Sequence, residues 1–139
     1  PYLHPGSDLP PLLEFDTVLA RSDIVSLHLP LTDETRGIIG ADALARMKPT
    51  AILINTSRGP LVDLDALAIA LREGTIGGAG LDVFDMEPLD ASRVEGLPNL
   101  IVTPHMAYYS EESLAESQRK AATQVIKVLT GEKPDYQVN

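Results

Sequence analysis

Ile54-Asn55-Thr56-Ser57-Arg58-Gly59 is the stretch of this chain from which its fold can first be inferred. It continues the apolar run Ala51-Ile52-Leu53-Ile54, which predicts a buried strand. An arginine follows the end of that strand, and a glycine after it lets the backbone turn. In open α/β sheets ligands bind outside the carboxyl ends of the strands, so Arg58 at this edge suggests anion recognition.

Two later stretches repeat this arrangement. An apolar run over residues 79–84 leads into the segment that contains Glu87, and a second run over residues 100–103 leads into Pro104-His105. Three successive strands are therefore predicted to present Arg58, Glu87 and His105 in turn.

The first third of the chain alternates between helix and strand patterns. Apolar residues recur near helical spacing over residues 12–21 and predict a helix. Residues 24–29 are typical of a strand buried on both faces, and Pro30 ends it. A short helix is predicted over residues 41–48, with Gly40 as a weak cap.

The rest of the chain continues the alternation. Asp63 is predicted to cap a helix over residues 64–73, which Gly74 ends. Ser110 is predicted to cap a long carboxyl-terminal helix. Strands that alternate with helices at this spacing indicate a parallel sheet with helices on its faces, so the predicted fold class is α/β. The apolar stripe of the long helix consists of Leu114, Ala121, Ala122, Val125 and Leu129.

Composition excludes several classes of function. The chain has 139 residues and a formal net charge of -9, which argues against a nucleic-acid interface. It has no Cys, so disulfides and thiolate metal sites are excluded, and no metal site is predicted. No apolar run approaches membrane-spanning length and no signal-peptide pattern opens the chain, so no membrane partner and a cytoplasmic location are expected.

One expected feature of a nucleotide-binding sheet is missing. Dinucleotide-binding domains carry G-x-G-x-x-G after the first strand, where glycines let backbone amides approach a pyrophosphate. The nearest match, Gly77-Gly78-Ala79-Gly80, lacks the third glycine and precedes a strand. We interpret it as a tight turn, and no phosphate loop is predicted in this chain.

Several motifs follow one another in a specific order and spacing over nearly the whole chain. They are residues 22–35, Met47-Lys48-Pro49, residues 54–59, Gly80-Leu81-Asp82-Val83, Glu87-Pro88 and Thr103-Pro104-His105. In this order they resemble the D-isomer-specific 2-hydroxyacid dehydrogenases. Residues 105–113 look most like the branch that contains C-terminal binding protein, although that branch usually has Trp where Tyr108 stands.

The resemblance implies a partial Rossmann-like, doubly wound parallel sheet followed by a long carboxyl-terminal helix. Residues 1–108 would form the carboxyl-terminal part of the NAD-binding domain. Residues 109–139 would form the helix and tail that lead back toward a substrate domain. The family's glycine loop and its acidic residue for the adenosine ribose would precede Pro1. The chain is thus expected to be the carboxyl-terminal half of an enzyme, to need its amino-terminal half, and to be inactive alone.

The chemistry of such an enzyme can be argued from three side chains. Oxidation of a 2-hydroxy acid needs a base for the hydroxyl proton, a cation for the carboxylate and an acceptor for the hydride. His105 suits the proton role, with Glu87 as its carboxylate partner. Arg58 suits the substrate carboxylate because its planar fork can make two parallel hydrogen bonds. The resemblance implies the same three catalytic roles.

The resemblance also implies NAD as the cofactor and leaves NADP open. Asp82 would lie near the nicotinamide, although it could instead cap a neighbouring turn. His28 could equally serve the hydrogen bonding at its strand end. Without the resemblance, each catalytic candidate would more often be an ordinary surface or loop residue. The remaining residues that would contact the cofactor are Pro30, Thr35, Thr56, Ser57, Arg58, His105 and Ala107.

The function predicted for the parent protein is hydride transfer between a nicotinamide cofactor and a small D-2-hydroxy or 2-keto acid, by a homodimeric NAD-dependent dehydrogenase. One alternative is an NAD-gated co-regulatory protein of the C-terminal binding protein type. Its peptide groove would lie mainly in the amino-terminal part. A second alternative is an inactive proteolytic fragment.

Overall fold

The computed structural model describes residues 12–137. Contacts within the chain define two units, the first ending at His105 and the second beginning at Met106. The second unit contains one long helix, α4 (Glu111–Leu129). The first unit contains, in chain order, α1 (Phe15–Arg21), β1 (Ile24–Leu27), α2 (Ala41–Arg46), β2 (Ile52–Asn55), α3 (Leu64–Glu73), β3 (Gly78–Leu81) and β4 (Leu100–Val102).

The four strands of the first unit form one parallel sheet in the order β1-β2-β3-β4. In the register of the sheet, Val25 pairs with Leu53, Leu53 with Ala79, and Ala79 with Leu100. Parallel strands need long crossover connections, which α2, α3 and a short 3₁₀ turn at Ala91–Arg93 supply here. The predicted α/β class is confirmed, and the carboxyl ends of all four strands meet at one edge.

One face of the sheet and the three helices of this unit share a single hydrophobic core. Burying a Leu side chain stabilises the fold by about 2 kcal/mol, so this cluster is the main source of stability for the unit. Its fully buried leucines are Leu19 of α1, Leu44 of α2, Leu53 of β2, Leu61 of the connecting loop and Leu67 of α3.

The prediction that the strand after α1 is buried on both faces was wrong. Val25 and Leu27 are buried, whereas Ile24 is 65% exposed and Ser26 is exposed. Successive side chains of a strand point to opposite faces, and Ile24 and Ser26 point away from the core shared with α1, α2 and α3. The strand also ends at Leu27, before the predicted end at residue 29.

The ends of α3 lie where the sequence predicted them. The Asp63 carboxylate accepts hydrogen bonds from the backbone N–H groups of Asp65 and Ala66, each at 3.0 Å. Gly74 follows the last turn with φ 69°, a left-handed conformation that suits glycine.

Two other helices are shorter than predicted. α1 begins at Phe15. Leu12 is 65% exposed, so a helix that began at Leu12 would bury little additional apolar surface. α2 ends at Arg46, two residues before the predicted end. Lys48 precedes Pro49, and a residue before proline is disfavoured in helical conformation.

The second unit shows the predicted cap of the long helix. The Ser110 hydroxyl oxygen accepts a hydrogen bond from the Ser113 backbone N–H at 3.0 Å, and the Ser113 hydroxyl oxygen accepts one from the Ser110 N–H at 3.0 Å. None of the α4 residues is buried, and Val125 and Leu129 of the apolar stripe are 58% and 81% exposed. Across residues 12–137, every helix falls short of the length and apolar character that crossing a bilayer requires.

Candidate active site

The loop after β2 is built around a buried amide. Asn55, the last residue of β2, is 0% exposed. Its Nδ2 donates to the Arg58 carbonyl at 2.9 Å, and its Oδ1 accepts from the Ser57 N–H at 3.1 Å. The exposed Arg58 side chain donates from Nη1 to the Ser57 carbonyl at 2.7 Å. Sequence analysis missed the role of Asn55, although an Asn side chain that bonds the backbone two residues on is a known turn device.

The loops that follow β1 and β2 enclose an open cavity of about 410 Å³ at the carboxyl edge of the sheet. The Ser57 hydroxyl donates to the Leu29 carbonyl at 2.8 Å and so ties the two loops together. Four residues predicted to contact a cofactor therefore lie around one cavity. They are His28, Pro30, Ser57 and Arg58.

Three other predicted cofactor residues have different surroundings. The Thr35 hydroxyl donates to the Pro30 carbonyl at 2.7 Å and accepts from the Thr32 N–H at 2.8 Å, so it shapes its own loop. Thr56 is exposed beside Asn55. Ala107 belongs to the second unit, and its predicted role stays a prediction.

The segment after β4 is bonded to the end of β3. Asp82 is 3% exposed, and the Thr103 hydroxyl donates to its Oδ1 at 2.5 Å. The Thr103 N–H donates to the Leu81 carbonyl, and the His105 N–H donates to the Asp82 carbonyl at 2.8 Å. These bonds hold His105 at φ 53°, a left-handed conformation that is uncommon for residues other than glycine.

Glu87 and His105 form a hydrogen bond with 2.8 Å between Oε2 and Nδ1, which becomes an ion pair when the imidazole carries a proton on both nitrogens. The second carboxylate oxygen, Oε1, accepts from the Phe84 backbone N–H at 3.0 Å. The hydrogen bond from the His105 ring, followed by the one from the Phe84 N–H, holds the pKa of Glu87 below its usual value, while the charge of Asp82 opposes this shift. Glu87 is thus kept as a carboxylate that orients the imidazole.

The loop that carries Glu87 has two further contacts. A Cβ on Gly59 would lie 1.9 Å from the Phe84 carbonyl carbon, so the backbones after Arg58 and before Glu87 touch where only glycine fits. Arg93 Nη1 lies 2.8 Å from Asp85 Oδ1. The Arg58 loop and the Glu87 loop are therefore mechanically linked.

A second cavity, of about 350 Å³, lies beside the Glu87–His105 pair. Its walls are mostly apolar, and the side chains of Glu87 and His105, 37% and 51% exposed, supply its polar groups. Arg58 lines the cavity between the loops after β1 and β2. The contact between Gly59 and Phe84 connects the loop of Arg58 to the loop of Glu87. The apolar lining is formed by Phe84, Pro88, Leu89, Val102 and Pro104.

Comparison with known protein families shows which family this chain belongs to. Residues 7–107 match the model described as D-isomer specific 2-hydroxyacid dehydrogenase, NAD binding domain. The chain belongs to this family. The predicted family resemblance is thereby confirmed, while the branch that contains C-terminal binding protein stays a prediction.

Curated dehydrogenase relatives align with much of the chain. It is 47% identical over 133 residues to a glyoxylate reductase of Thermofilum pendens, covering 93% of this chain and 39% of the relative. It is 52% identical over 106 residues to a glycerate dehydrogenase of Methylorubrum extorquens, covering 74% and 34%. The chain therefore spans less than half the length of each of these relatives.

A solved structure of the 2-hydroxyacid dehydrogenase family shows the same fold. The NAD-complexed D-isomer specific 2-hydroxyacid dehydrogenase of Lactobacillus delbrueckii ssp. bulgaricus superposes with a TM-score of 0.80 and 39% identity. The match covers 91% of this chain and 43% of that one. The four-stranded parallel sheet is thus part of the fold of this family.

Proposed function

We propose that this chain is the part of an NAD-dependent oxidoreductase that carries its catalytic residues. The enzyme would transfer a hydride between a nicotinamide cofactor and a small D-2-hydroxy or 2-keto acid. The observation that carries the proposal is the Glu87–His105 hydrogen bond at the carboxyl edge of a parallel sheet. Relatives named for glyoxylate reduction and glycerate oxidation support a substrate of two or three carbons.

In this proposal His105 moves the proton. Glu87 engages Nδ1, so the exchangeable proton is the one on the other ring nitrogen, Nε2. During reduction of a keto acid, Nε2–H donates to the carbonyl oxygen as that oxygen gains negative charge. During oxidation, the same nitrogen accepts the hydroxyl proton. Glu87 stabilises the imidazolium form that oxidation leaves behind.

Arg58 binds the substrate carboxylate in this proposal. Its guanidinium is exposed at the cavity edge and is free of any carboxylate partner among the described residues. Two parallel charge-assisted hydrogen bonds would fix the acid in one orientation. The substrate carbonyl carbon would then face the cofactor side of the cleft.

The residues at this edge fit the nicotinamide end of NAD. The cavity between the β1 and β2 loops is open and polar at Ser57 and Arg58, and the buried Asp82 carboxylate lies at the end of the next strand. NAD supplies the hydride acceptor when bound. Since the sequence has no G-x-G-x-x-G, the residues of this chain would bind the nicotinamide end of NAD and not its pyrophosphate. NAD is the predicted cofactor and NADP stays open. The homodimer and the cytoplasmic location stay predictions.

The test is carried out on the complete gene product. NADH and NADPH oxidation is followed by absorbance with glyoxylate, hydroxypyruvate and pyruvate, for the wild type and for His105→Ala. We expect the replacement to reduce kcat by about a thousandfold while NADH still binds, as judged by its fluorescence. Normal turnover in His105→Ala would contradict the proton-transfer role, and a wild type that reduces no 2-keto acid would contradict the whole proposal.

A further inference from the structure

Asn55 is the most deeply buried polar side chain of the described residues. It is 0% exposed at the end of β2, where the sheet register pairs it with Leu27 on one side and Leu81 on the other. A buried amide is tolerated only when its donor and its acceptor are both paired. Asn55 meets this condition with bonds to Ser57 and Arg58, and both partners are backbone groups of one loop.

The bond to Arg58 restricts the loop strongly. If the loop moved, the Asn55 Nδ2 would lose the Arg58 carbonyl at a place that water does not reach. The loop is held at two neighbouring points as well, by the Ser57 hydroxyl on Leu29 and by Gly59 against Phe84. The Arg58 carbonyl also accepts from the Leu61 N–H at 3.2 Å, and Asn55 supplies the shorter, side-chain bond to the same oxygen.

A guanidinium recognises a carboxylate through two hydrogen bonds of fixed direction. Small displacements of the Arg58 backbone would tilt this fork and leave one bond poorly aligned. The position of the Arg58 carbonyl therefore matters more for an anionic substrate than for a neutral one.

We propose that Asn55 is a positioning residue that sets carboxylate recognition by holding the backbone of Arg58. This inference rests on the proposed function, in which Arg58 binds the substrate carboxylate. Asn55 does not touch the substrate, and its effect passes through the Arg58 loop alone.

The test compares an acid with its neutral amide in the complete gene product. For each variant, kcat/KM is measured for pyruvate and for pyruvamide with the same cofactor, and the ratio is the readout. Any change in cofactor binding affects both substrates equally and cancels. We expect Asn55→Ala to lower the ratio about tenfold, because the pyruvate carboxylate loses its aligned partner. Arg58→Gln should lower it at least as much, and the double variant should show no further loss.

A fold-destabilising control separates positioning from general loss of structure. Leu53 lies on the same strand as Asn55 and is also 0% exposed. Leu53→Ala should lower the melting temperature and leave the ratio of kcat/KM for pyruvate to that for pyruvamide unchanged. Asn55→Ser, whose shorter side chain still accepts from the Ser57 N–H but cannot reach the Arg58 carbonyl, gives a milder second variant. Its ratio should also fall.

The outcomes distinguish this inference from the proposed function. If the wild type prefers pyruvate but Asn55→Ala and Asn55→Ser keep that preference, the positioning role is overturned and the dehydrogenase proposal stands. If Asn55→Ala does not fold, the Asn55→Ser ratio decides. A wild type that reduces none of pyruvate, pyruvamide, glyoxylate and hydroxypyruvate would overturn both, and one that reduces pyruvate and pyruvamide equally well would overturn the positioning role.

Discussion

The Nδ1 atom of His105 lies 2.8 Å from the Oε2 atom of Glu87, although the two residues are 18 positions apart in the chain. The contact joins the end of β4 to the loop after β3. It depends on two backbone bonds, one from Phe84 to Glu87 and one from His105 to Asp82. The two residues therefore meet because β3 and β4 are neighbours in the sheet, and neither loop alone would bring them together.

Replacing Glu87 with Gln should lower stability near pH 6 and change little in strong acid. The pKa of Glu87 lies below its usual 4.5 in the folded protein, mainly because of the bond with His105. A carboxylate with a lowered folded pKa contributes stability that is present above the unfolded pKa and is lost as the pH falls through the folded one. Melting temperatures from about pH 6 to about pH 2 should thus converge for the two proteins. Equal melting temperatures at pH 6 would show that the pair adds no stability.

Gly59→Ala should destabilise the protein by about 3 kcal/mol, because the new methyl group would overlap the Phe84 backbone, which cannot rotate away. Urea unfolding measures this loss. Gly40→Ala is the control, since its Cβ would make only a 3.4 Å contact, and we expect it to cost about 0.5 to 1 kcal/mol because alanine is a poorer helix cap than glycine. A Gly59→Ala protein as stable as Gly40→Ala would contradict the close approach.

Thr103→Val should cost about 1 to 2 kcal/mol, because it removes the hydroxyl that donates to the buried Asp82 carboxylate. Valine has nearly the shape of threonine, so packing is preserved. Thr103→Ser keeps the hydroxyl and should retain most of the stability in the same urea titration. If Val and Ser destabilise equally, the missing methyl group and not the hydrogen bond is responsible.

Arg93→Met should destabilise the protein by less than about 1 kcal/mol, since its ion pairs are partly exposed. The Asp85 carboxylate holds the pKa of Arg93 above its usual value. Arg46→Met removes a longer ion pair, 3.6 Å from Asp16, and an exposed hydrogen bond to the Asp42 carbonyl of its own helix, and should cost less still. Thermal unfolding in low salt ranks the two variants. The reverse order would argue against a role for Arg93 in holding the Glu87 loop.

Local features of this fold could be predicted from the sequence. The Asp63 and Ser110 caps and the Gly74 helix end depend on neighbours within a few residues, and all three were confirmed. The prediction for the strand that begins at Ile24 was correct about the strand and wrong about its burial. Its apolar residues suggested burial on both sides, whereas exposure depends on which face the helices cover.

The parallel α/β fold, the family and the candidates Arg58, Glu87 and His105 could all be inferred without the structure, because strand periodicity and motif spacing are properties of the chain. Only the tertiary structure showed that Asn55 is buried beneath the Arg58 loop and that Phe84 touches Gly59. Such contacts join segments through hydrogen bonds and close backbone approach. They are decided by the packing of the sheet edge, which no local pattern of residues encodes.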